Sequence, residues 1–599
     1  MIGERGPLCQ RNCLSRAGHS AQMQRPRSYA RSSHKRREGG NVRKAAKGKA
    51  CVTHWAATAV LAFGVTPAVA EEARGTVFRD DNGNGVRDSG EPGIAEVRVS
   101  NGRDVTLTDA DGDYRIEVDD ETIIFVTKPA GYMTPVNAEM LPRFHYIHQP
   151  AGSPKRMRYR GIDPTGPLPE RIDFPLVTVD EPAVFDAILF ADPQPQTEAE
   201  LDYIRDDVIA ELVGTDARFG MTMGDILFDD LAMFPRYNRL IARMGVPWYN
   251  VPGNHEMNLD ADGDGDSLET FKRHFGPPYY SFEVGDAVFF VLDNIVYQGG
   301  GEVTADNLRG NGRYVAELSE DQLTWLGNEL PHIPDDRLLF FAMHAPLEIA
   351  GTDAPGVTTS NRRALFEMLG EREHLYAVAG HTHTVEHRYF DADDGFAGPE
   401  PFHHHVLSTV SGSWWSGPFD EEGVPVSWQR DGTPNGYHIL TVDGVDMSVR
   451  FKAAGKPADY QMRIMFDVAH HRNRDAAVRD TRAGELLDGR MTVEQAYGAE
   501  VYVNLFDGGP RSKVEFHVGG HGPIAMERVA RLDPAITELH LRHADVIKSW
   551  VQPQPSTHLW VSRLPELGAG THTLTVRAVD EFGRTHHAHR IMEITPDAP

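Results

Sequence analysis

Residues 185–194 read Phe-Asp-Ala-Ile-Leu-Phe-Ala-Asp-Pro-Gln, an apolar run that ends at Asp192 and Gln194. A short apolar run is typical of a buried strand, and the amphipathic pattern from Glu198 to Leu212 predicts a helix after it. Strand and helix patterns continue to alternate over residues 183–450, which predicts an α/β domain built in layers. The polar side chains of this domain therefore stand where a strand ends.

Four more polar blocks follow apolar runs in the same domain. Loops after parallel strands open at one edge of a sheet, so residues far apart in the chain can surround one crevice there. Glycine precedes the key residue in three of the blocks, which allows a tight turn at the strand exit. The blocks are Gly224-Asp225, Gly253-Asn254-His255-Glu256, His344 after residues 338–343, and Gly380-His381-Thr382-His383 after residues 375–379.

The side chains of these blocks have the chemistry of a metal centre. They offer carboxylate oxygens, amide oxygens and imidazole nitrogens, the donors that hard to borderline divalent ions prefer, and they contain no sulfur. One carboxylate is available to bridge two ions. Two ions about 3.5–4 Å apart can generate a hydroxide and hold the oxygens of an in-line phosphoryl displacement. The blocks therefore predict a two-metal site.

The five blocks, in this order, resemble those of the calcineurin-like metallophosphoesterase superfamily, which run D-x-H, GD, GNH[DE], H and GHxH. The resemblance covers about 260 residues, and all five blocks occur in order between Asp192 and His383. It implies a central four-layer α/β domain that hydrolyses a phosphate monoester or phosphodiester with a hydroxide activated by two metal ions. The resemblance leaves open whether the metals are manganese, zinc or iron.

The resemblance also implies a role for each matching residue. His255, together with Asp225 and Asn254, belongs to the catalytic set, and His255 contacts the phosphate and protonates the leaving oxygen or stabilises its charge. Gln194 departs from the family pattern, which more often has His there, and a neutral amide oxygen is a weaker ligand. The implied ligands are Asp192, Gln194 and His383 for one metal, Asn254, His344 and His381 for the other, and Asp225 as the bridge.

Several residues near the blocks are not assigned as metal ligands, and some of them have two interpretations. Asp229 either hydrogen-bonds to a site residue or is simply solvated, and we treat Asn294 and His387 as structural. The run His403–His405 is either a metal patch or ordinary strand residues, since alternate side chains of a strand face opposite ways. Trp414 and Trp415 either form a substrate platform at the rim of the site or pack structurally.

The regions around the α/β domain have different patterns. Short alternating runs over residues 71–128 predict a β-sandwich accessory domain, and recurring Pro and Gly over 129–182 predict a linker. Alternating runs over residues 455–599, with a helix near Ile536 to Trp550, predict a second sandwich-like, β-rich domain. This layout resembles a bacterial group of calcineurin-like phosphoesterases with accessory domains at both ends.

The first accessory domain contains a possible calcium loop. Residues 80–91 read Asp-Asp-Asn-Gly-Asn-Gly-Val-Arg-Asp-Ser-Gly-Glu, which matches a twelve-residue loop with oxygen donors at the ligand positions and glycine at position six. A simple cluster of Asn and Gly turns is the alternative. The candidate calcium ligands are Asp80, Asn82, Asn84, Val86, Asp88 and Glu91.

The first 70 residues indicate export. A basic stretch precedes an uncharged segment, Cys51 to Ala70, which ends in the cleavage pattern of a bacterial signal peptide, so we expect cleavage after Ala70 and a periplasmic or extracellular protein. All three cysteines, Cys9, Cys13 and Cys51, precede that point, so the mature chain would have neither disulfides nor thiolate ligands. No later segment is apolar enough to span a bilayer.

The charge of the chain limits its partners. The formal net charge of the 599 residues is −27, although residues 1–50 are basic, with 13 Lys and Arg against 2 Glu, so the remaining chain is more acidic still. An acidic body repels a phosphate backbone, so we expect a small phosphorylated substrate and no nucleic acid, which disfavours a nuclease. The alternative from another class is a non-catalytic cell-surface binding protein on a degenerate phosphoesterase scaffold. The sequence does not indicate which protein partners the chain has.

Overall fold

The computed structural model describes residues 71–300, 313–467 and 489–597. The predicted leader and signal peptide over residues 1–70, with the three cysteines, lies outside the described residues. Within the described ranges, no helix combines the length and the apolar character needed to cross a bilayer.

Residues 71–178 form two four-stranded sheets. The strands are β1 Glu71–Arg79, β2 Arg98–Ser100, β3 Val105–Leu107, β4 Asp113–Val118, β5 Thr122–Val126, β6 Tyr132–Met133, β7 His145–His148 and β8 Phe174–Thr178. The strand orders are β4-β1-β8-β6 and β3-β2-β5-β7. Exposed and buried residues alternate along β4, as they must in a strand with one face on a core.

Three of these strands come from residues 129–182, which the sequence predicted to be a linker. β8 pairs in parallel with β1, β7 pairs with β5, and β6 pairs with β8. The prediction that the first domain ends at residue 128 was therefore wrong. These strands are only two, four and five residues long, so an alternating pattern cannot be recognised in them.

Residues 184–453 contain the two larger sheets that carry the polar blocks. Their strand orders are β11-β10-β9-β20-β21 and β12-β13-β16-β17-β19-β18, and β14 and β15 form a separate pair. The strands are β9 Val184–Phe190, β10 Phe219–Met223, β11 Trp248–Val251, β12 Tyr280–Val284, β13 Ala287–Val291, β14 Ile295–Tyr297, β15 Tyr314–Ala316, β16 Leu338–Ala342, β17 Leu375–Ala379, β18 Glu386–Phe390, β19 Phe402–Val406, β20 Gly436–Asp443 and β21 Asp446–Ala453.

The strands that precede the polar blocks run parallel to one another within each of the two sheets. β9, β10 and β11 run parallel, and so do β16 and β17 in the other sheet. β10, β11, β16 and β17 are buried along their whole length, as expected for parallel strands covered on both faces. Parallel direction places the carboxyl ends of neighbouring strands at one edge.

Helices connect the strands of this region. The predicted helix after β9 is present from Glu198 to Leu212, with a π-helical turn in its middle. Ser319 caps the helix Glu320–Glu329 by accepting a hydrogen bond from Gln322 N, and the side chain of Gln322 bonds to the backbone of Asp293. The helical segments are Glu198–Tyr203, Ile204–Ile209, Ala210–Leu212, Leu231–Met233, Phe234–Ile241, Ala242–Met244, Asp264–Asp266, Glu269–Phe275, Glu320–Glu329, Leu330–His332 and Arg362–Leu369.

Aromatic rings connect the two larger sheets. Phe219 on β10 lies 5.0 Å from Phe289 on β13 and 5.3 Å from Phe282 on β12, measured between ring centroids. All three rings are buried, and edge-to-face contacts of this kind add to the hydrophobic stabilisation. The contact fixes one sheet against the other, and so fixes the relative positions of their strand ends.

The C-terminal region has two sheets and its own core. The strands are β22 Met462–Asp467, β23 Arg490–Thr492, β24 Glu500–Leu505, β25 Lys513–Val518, β26 His521–Ala525, β27 Glu527–Leu532, β28 Pro555–Arg563, β29 Gly570–Val579 and β30 Thr585–Thr595. Their orders are β22-β24-β28-β27 and β23-β30-β29-β25-β26. Short helices span Val493–Ala496 and Pro534–Arg542, so the predicted helix near Ile536 ends before Trp550.

The structure thus shows several sheets with flanking domains. The four-layer arrangement of the central domain and the sandwich description of the flanking domains stay predictions.

We expect Phe219→Ala to lower the free energy of unfolding by about 3–5 kcal/mol, because it removes a buried ring from the contact between the two larger sheets. Chemical denaturation followed by tryptophan fluorescence measures the change. Val213→Ala is the control, since Val213 is 60% exposed. Equal effects of the two substitutions would contradict the proposed importance of the contact.

Candidate metal centre

The polar blocks meet at the carboxyl ends of five strands. β9 leads into Asp192 and Gln194, and β10 leads into Asp225. Asn254 follows β11, His344 follows β16, and His381 and His383 follow β17. The structure brings all seven predicted ligands into one crevice, where they form two groups that share Asp225.

The first group surrounds His344. Its Nε2 lies 3.1 Å from Asn254 Oδ1, 3.1 Å from Asp225 Oδ1 and 3.0 Å from His381 Nδ1. A single ring nitrogen cannot hydrogen-bond to three such atoms at once. Ligand atoms about 2.1 Å from one tetrahedral ion lie about 3.4 Å apart, close to the observed spacing. The first group therefore has the size of a metal site.

Backbone carbonyls fix which ring nitrogens face the centre. His344 Nδ1 lies 2.9 Å from Met223 O, and His381 Nε2 lies 3.0 Å from Gly356 O. Because a carbonyl oxygen can only accept, the neutral form of each ring donates its proton outward and directs its lone pair inward, the form in which a metal ion replaces the inward proton. The inward atoms are then all acceptors, and a cation is the species that such a set binds.

The second group surrounds His383. His383 Nδ1 donates to Gly412 O at 2.6 Å, so its Nε2 faces Gln194 Oε1 at 2.9 Å and Asp192 Oδ1 at 3.6 Å. Gln194 Nε2 donates to Asp225 Oδ2 at 2.8 Å. The two oxygens of Asp225 therefore face different groups, which is the arrangement that a bridging carboxylate needs.

The electrostatics of the crevice favour positive charge. Burial raises the pKa of Asp192 to about 7, with a further contribution from Asp225. Burial lowers the pKa of His344, but the nearby carboxylates Asp225 and Asp192 outweigh burial and raise it to about 9. Burial lowers the pKa of His381 to about 4 and that of His383 to about 3, which keeps both rings neutral. Divalent cations would offset the buried carboxylate charge.

Backbone strain concentrates at this site. In the described ranges, ten residues other than glycine have positive φ, a conformation that side chains disfavour. Eight of them are site residues or their immediate neighbours, and such strain persists only where the surrounding structure enforces it. The eight are Asp192, Gln194, Asp225, Asp229, His381, His383, Trp414 and Trp415.

Two of the glycines in the polar blocks are required for different reasons. Gly224 has φ of 74°, which agrees with the tight turn predicted before Asp225. Gly380 does not have positive φ, but a Cβ there would collide with the carboxylate of Asp192. The role of Gly380 is close approach rather than a tight turn, so the prediction gave the wrong physical reason at that position.

His255 stands beside the crevice in contact with Asp229. The Nδ1 atom of His255 lies 2.6 Å from Asp229 Oδ1, and its Nε2 lies 3.8 Å from Asp225 Oδ2. Burial lowers the pKa of His255, but the charges of Asp225 and Asp229 outweigh burial and raise it to about 9. Of the two interpretations of Asp229, the structure favours the hydrogen bond to a site residue.

Glu256 has a structural role that was not predicted from the sequence. This buried carboxylate accepts hydrogen bonds from Leu227 N at 3.0 Å and Gly253 N at 2.9 Å. It therefore joins the loop after Asp225 to the loop that carries Asn254. The only signal in the sequence was its place as the last residue of the Gly253–Glu256 block.

Trp414 and Trp415 lie against the second group. The Trp414 ring stacks on His383 with centroids 3.8 Å apart, and Trp415 Nε1 donates to Pro193 O at 2.8 Å. Trp415 is buried, which favours the structural interpretation for that residue. A cleft of about 640 Å³ adjoins His381 on another side and is lined by Thr384, Arg430, Gln554 and residues near them.

The candidate calcium loop is closed by its own hydrogen bonds. Asp80 accepts from Gly83 N and Gly85 N, each at 2.7 Å. Asn82 Nδ2 and Asn84 Nδ2 donate to Asp88 Oδ2 at 2.8 and 2.9 Å. Glu91 accepts from Asp81 N and Asp88 N at 3.0 and 2.9 Å, and Val86 is exposed. Calcium binding by this loop stays a prediction.

Three family models match separate parts of the chain. Residues 192–385 match the model of calcineurin-like phosphoesterases. Residues 81–161 match the N-terminal region of calcineurin-like phosphoesterases, and residues 404–586 match their C-terminal region. The first of these accessory matches crosses the boundary that the sequence placed at residue 128.

The chain is also similar to individual proteins. It is 29% identical over 152 residues to a protein of Arcobacter nitrofigilis named probable glycerophosphodiester phosphodiesterase GpdQ, over 25% of this chain and 50% of that protein. The chain thus spans about half the length of this curated relative.

Two solved structures show more distant similarity. The purple acid phosphatase PPD1 from yellow lupin, Lupinus luteus, is 14% identical with a TM-score of 0.34, over 59% of this chain and 72% of that one. A dimetal phosphatase from Danio rerio is 17% identical with a TM-score of 0.30, over 46% of this chain and 97% of that one.

We expect Gln194→His to strengthen metal binding in the second group, because imidazole is a stronger ligand than a neutral amide oxygen. Calorimetric titration of chelator-treated protein with Mn²⁺ should show a dissociation constant lower by a factor on the order of 10. Gln196→His introduces the same side chain two residues away and should leave binding unchanged. An unaltered affinity in Gln194→His would exclude residue 194 from the ligand set.

Proposed function

Because the chain belongs to the calcineurin-like phosphoesterases, we propose that it hydrolyses a phosphate monoester or phosphodiester with the help of two divalent metal ions. The observation that carries the proposal is the carboxylate of Asp225, whose two oxygens face two separate groups of inward-facing donors. A bridged pair of ions is the arrangement that in-line displacement at phosphorus uses.

The seven converging side chains would hold the ions. Asn254, His344 and His381 would bind one, and Asp192, Gln194 and His383 the other, with Asp225 in contact with both. When bound, such ions lower the pKa of water and offset negative charge on phosphate oxygens. The donor set is compatible with manganese, zinc or iron.

His255 would contact the phosphate and protonate the leaving oxygen. Asp229 holds one ring nitrogen through the 2.6 Å contact, so the other nitrogen is directed towards the side of the crevice where Asp225 lies. A proton donor held in a fixed orientation at the reacting centre increases the rate, because the entropy of orienting the side chain has already been lost on folding. Asp229 would act as a positioning residue for His255.

The cleft beside His381 is suited to the organic part of the substrate. It is lined by residues of the central domain and by Gln554 and Pro555 of the C-terminal region. The guanidinium of Arg430 at its wall donates to the carbonyls of Thr382 and Gln552, which fixes a positive charge next to the metal-ligand loop. A phosphodiester with a polar leaving group fits this environment, as does a monoester, and the named activity of the Arcobacter relative supports the diester.

Two further proposals concern location and partners. Export is supported by the signal-like pattern before Glu71, and a preference for small phosphorylated substrates over nucleic acid is supported by the acidic body of the chain. The non-catalytic surface-binding protein is the alternative, and the complete set of ligands counts against it.

We expect purified protein, stripped with chelator, to regain turnover of p-nitrophenyl phosphate or bis-p-nitrophenyl phosphate when Mn²⁺, Zn²⁺ or Fe²⁺ is added. Asp225→Asn should abolish this turnover because the bridge is lost. His255→Ala should lower kcat about 10²–10⁴-fold, the usual contribution of a general acid. The monoester-to-diester ratio then selects the substrate class.

Asp393→Asn and His332→Ala make the same changes at exposed positions and should retain full turnover. Absence of both turnover and metal binding in folded protein would overturn the proposed function and favour the surface-binding alternative. If folded protein binds two ions but hydrolyses neither p-nitrophenyl phosphate nor bis-p-nitrophenyl phosphate, the proposed activity on simple esters is wrong.

We also propose that the loop over residues 80–91 binds calcium. At a Ca²⁺ concentration 100 times the dissociation constant, binding would stabilise the folded protein by about 2.7 kcal/mol. The unfolding midpoint should therefore rise with Ca²⁺. Asp88→Asn should abolish the rise, because its carboxylate faces Asn82 and Asn84, whereas Asp120→Asn at an exposed position should not. Equal midpoints with Ca²⁺ and with chelator would refute calcium binding.

A further inference from the structure

A second cluster of imidazoles and a carboxylate lies outside the candidate active site. His387 is on β18, His405 on β19 and His438 on β20, so the cluster lies where the two larger sheets come together. Asp507 follows β24 and is contributed by the C-terminal region. All four side chains are buried, with relative exposures of 6% or less. The cluster shares no residue with the first site.

The three rings converge on one oxygen. Nε2 of His405, His438 and His387 lies 2.8, 3.3 and 3.6 Å from Asp507 Oδ1. The longest of these distances exceeds that of a hydrogen bond, and three donors around one carboxylate oxygen exceed what its lone pairs accept well. Ligand atoms of a tetrahedral zinc site lie about 3.3 Å apart, which agrees with the three distances.

The outer nitrogens of two rings have partners that hold the rings in place. His405 Nδ1 lies 2.9 Å from the hydroxyl of Tyr376, and His387 Nδ1 lies 2.9 Å from His403 Nε2. These contacts direct both Nε2 atoms towards Asp507, as outer partners do around bound metals.

Protein hydrogen bonds leave part of the cluster unsatisfied. Within the described ranges, neither His387 Nε2 nor Asp507 Oδ2 has a hydrogen-bond partner, and both atoms are buried. His438 Nδ1 is also buried and has no hydrogen-bond partner among the described residues. Buried polar atoms without partners cost free energy, and three such atoms in one cluster imply that something further compensates them. A divalent cation would satisfy the inward atoms and neutralise the carboxylate.

We propose that His387, His405 and Asp507 bind a zinc ion in a structural site that joins the C-terminal region to the central domain. Imidazole nitrogens and a carboxylate oxygen are donors that zinc accepts, and His438 lies next to this group with its Nε2 3.3 Å from Asp507 Oδ1. From the sequence, His387 was predicted to be structural, and the run His403–His405 had two interpretations. In the structure His405 points into this cluster, whereas His404 Nε2 accepts from Leu347 N.

The test is the zinc content of purified, extensively dialysed protein, measured by plasma mass spectrometry after loading with Zn²⁺. His405→Ala and Asp507→Asn should each bind one zinc fewer per chain than the unmodified protein. Both should also unfold at lower temperature and become more sensitive to proteolysis between the central domain and the C-terminal region. His404→Gln, at a buried histidine of the same strand, should keep the full zinc content.

A second measurement keeps the proposal falsifiable if those variants fail to fold. Asp225→Asn together with His344→Ala disables the candidate active site and should still retain one zinc, with X-ray absorption showing only nitrogen and oxygen neighbours. The proposal is overturned if this double variant retains no zinc. It is equally overturned if folded His405→Ala binds as much zinc as the unmodified protein, in which case the cluster is a hydrogen-bonded network. Neither result depends on phosphoesterase activity.

Discussion

The arrangement of the site depends on the carboxylate of Asp225. Its Oδ1 lies 3.1 Å from His344 Nε2, and its Oδ2 accepts from Gln194 at 2.8 Å, so one side chain connects two groups of donors from two sheets. Burial raises the pKa of Asp225, but His344 and His255 outweigh burial and hold it below the ordinary value. The carboxylate is therefore charged, and a buried anion requires hydrogen-bond donors or cations around it.

The rest of the central domain maintains that arrangement. The aromatic contact between Phe219 and Phe289 fixes the sheets against each other, and parallel strands bring their carboxyl ends to one edge. Glu256 joins two of the loops, and positive φ angles turn Asp192 and Asp225 inward. The cost of this strain is offset by the core beneath the site, which is why strained residues concentrate there.

The sequence predicted those parts of the site that depend on residue type and strand ends. An apolar run followed by Asp, Asn or His can be recognised in the sequence alone. All seven ligands predicted in this way lie in one crevice. Contacts made by the backbone are not visible, such as the carbonyls of Met223 and Gly412 that orient two of the rings. The strands between residues 129 and 182 were missed because they are short and are held by pairing with β1 and β5, not by a local pattern.

The cluster around Asp507 shows the same limit, because its four residues come from three distant parts of the chain and only the fold unites them. The central claim remains that Asp225 bridges two metal ions. Anomalous diffraction at the manganese edge from crystals grown with Mn²⁺ tests it most directly. The account predicts two peaks about 3.5–4 Å apart, one beside each oxygen of Asp225. A single peak, or two peaks that Asp225 does not join, would contradict it.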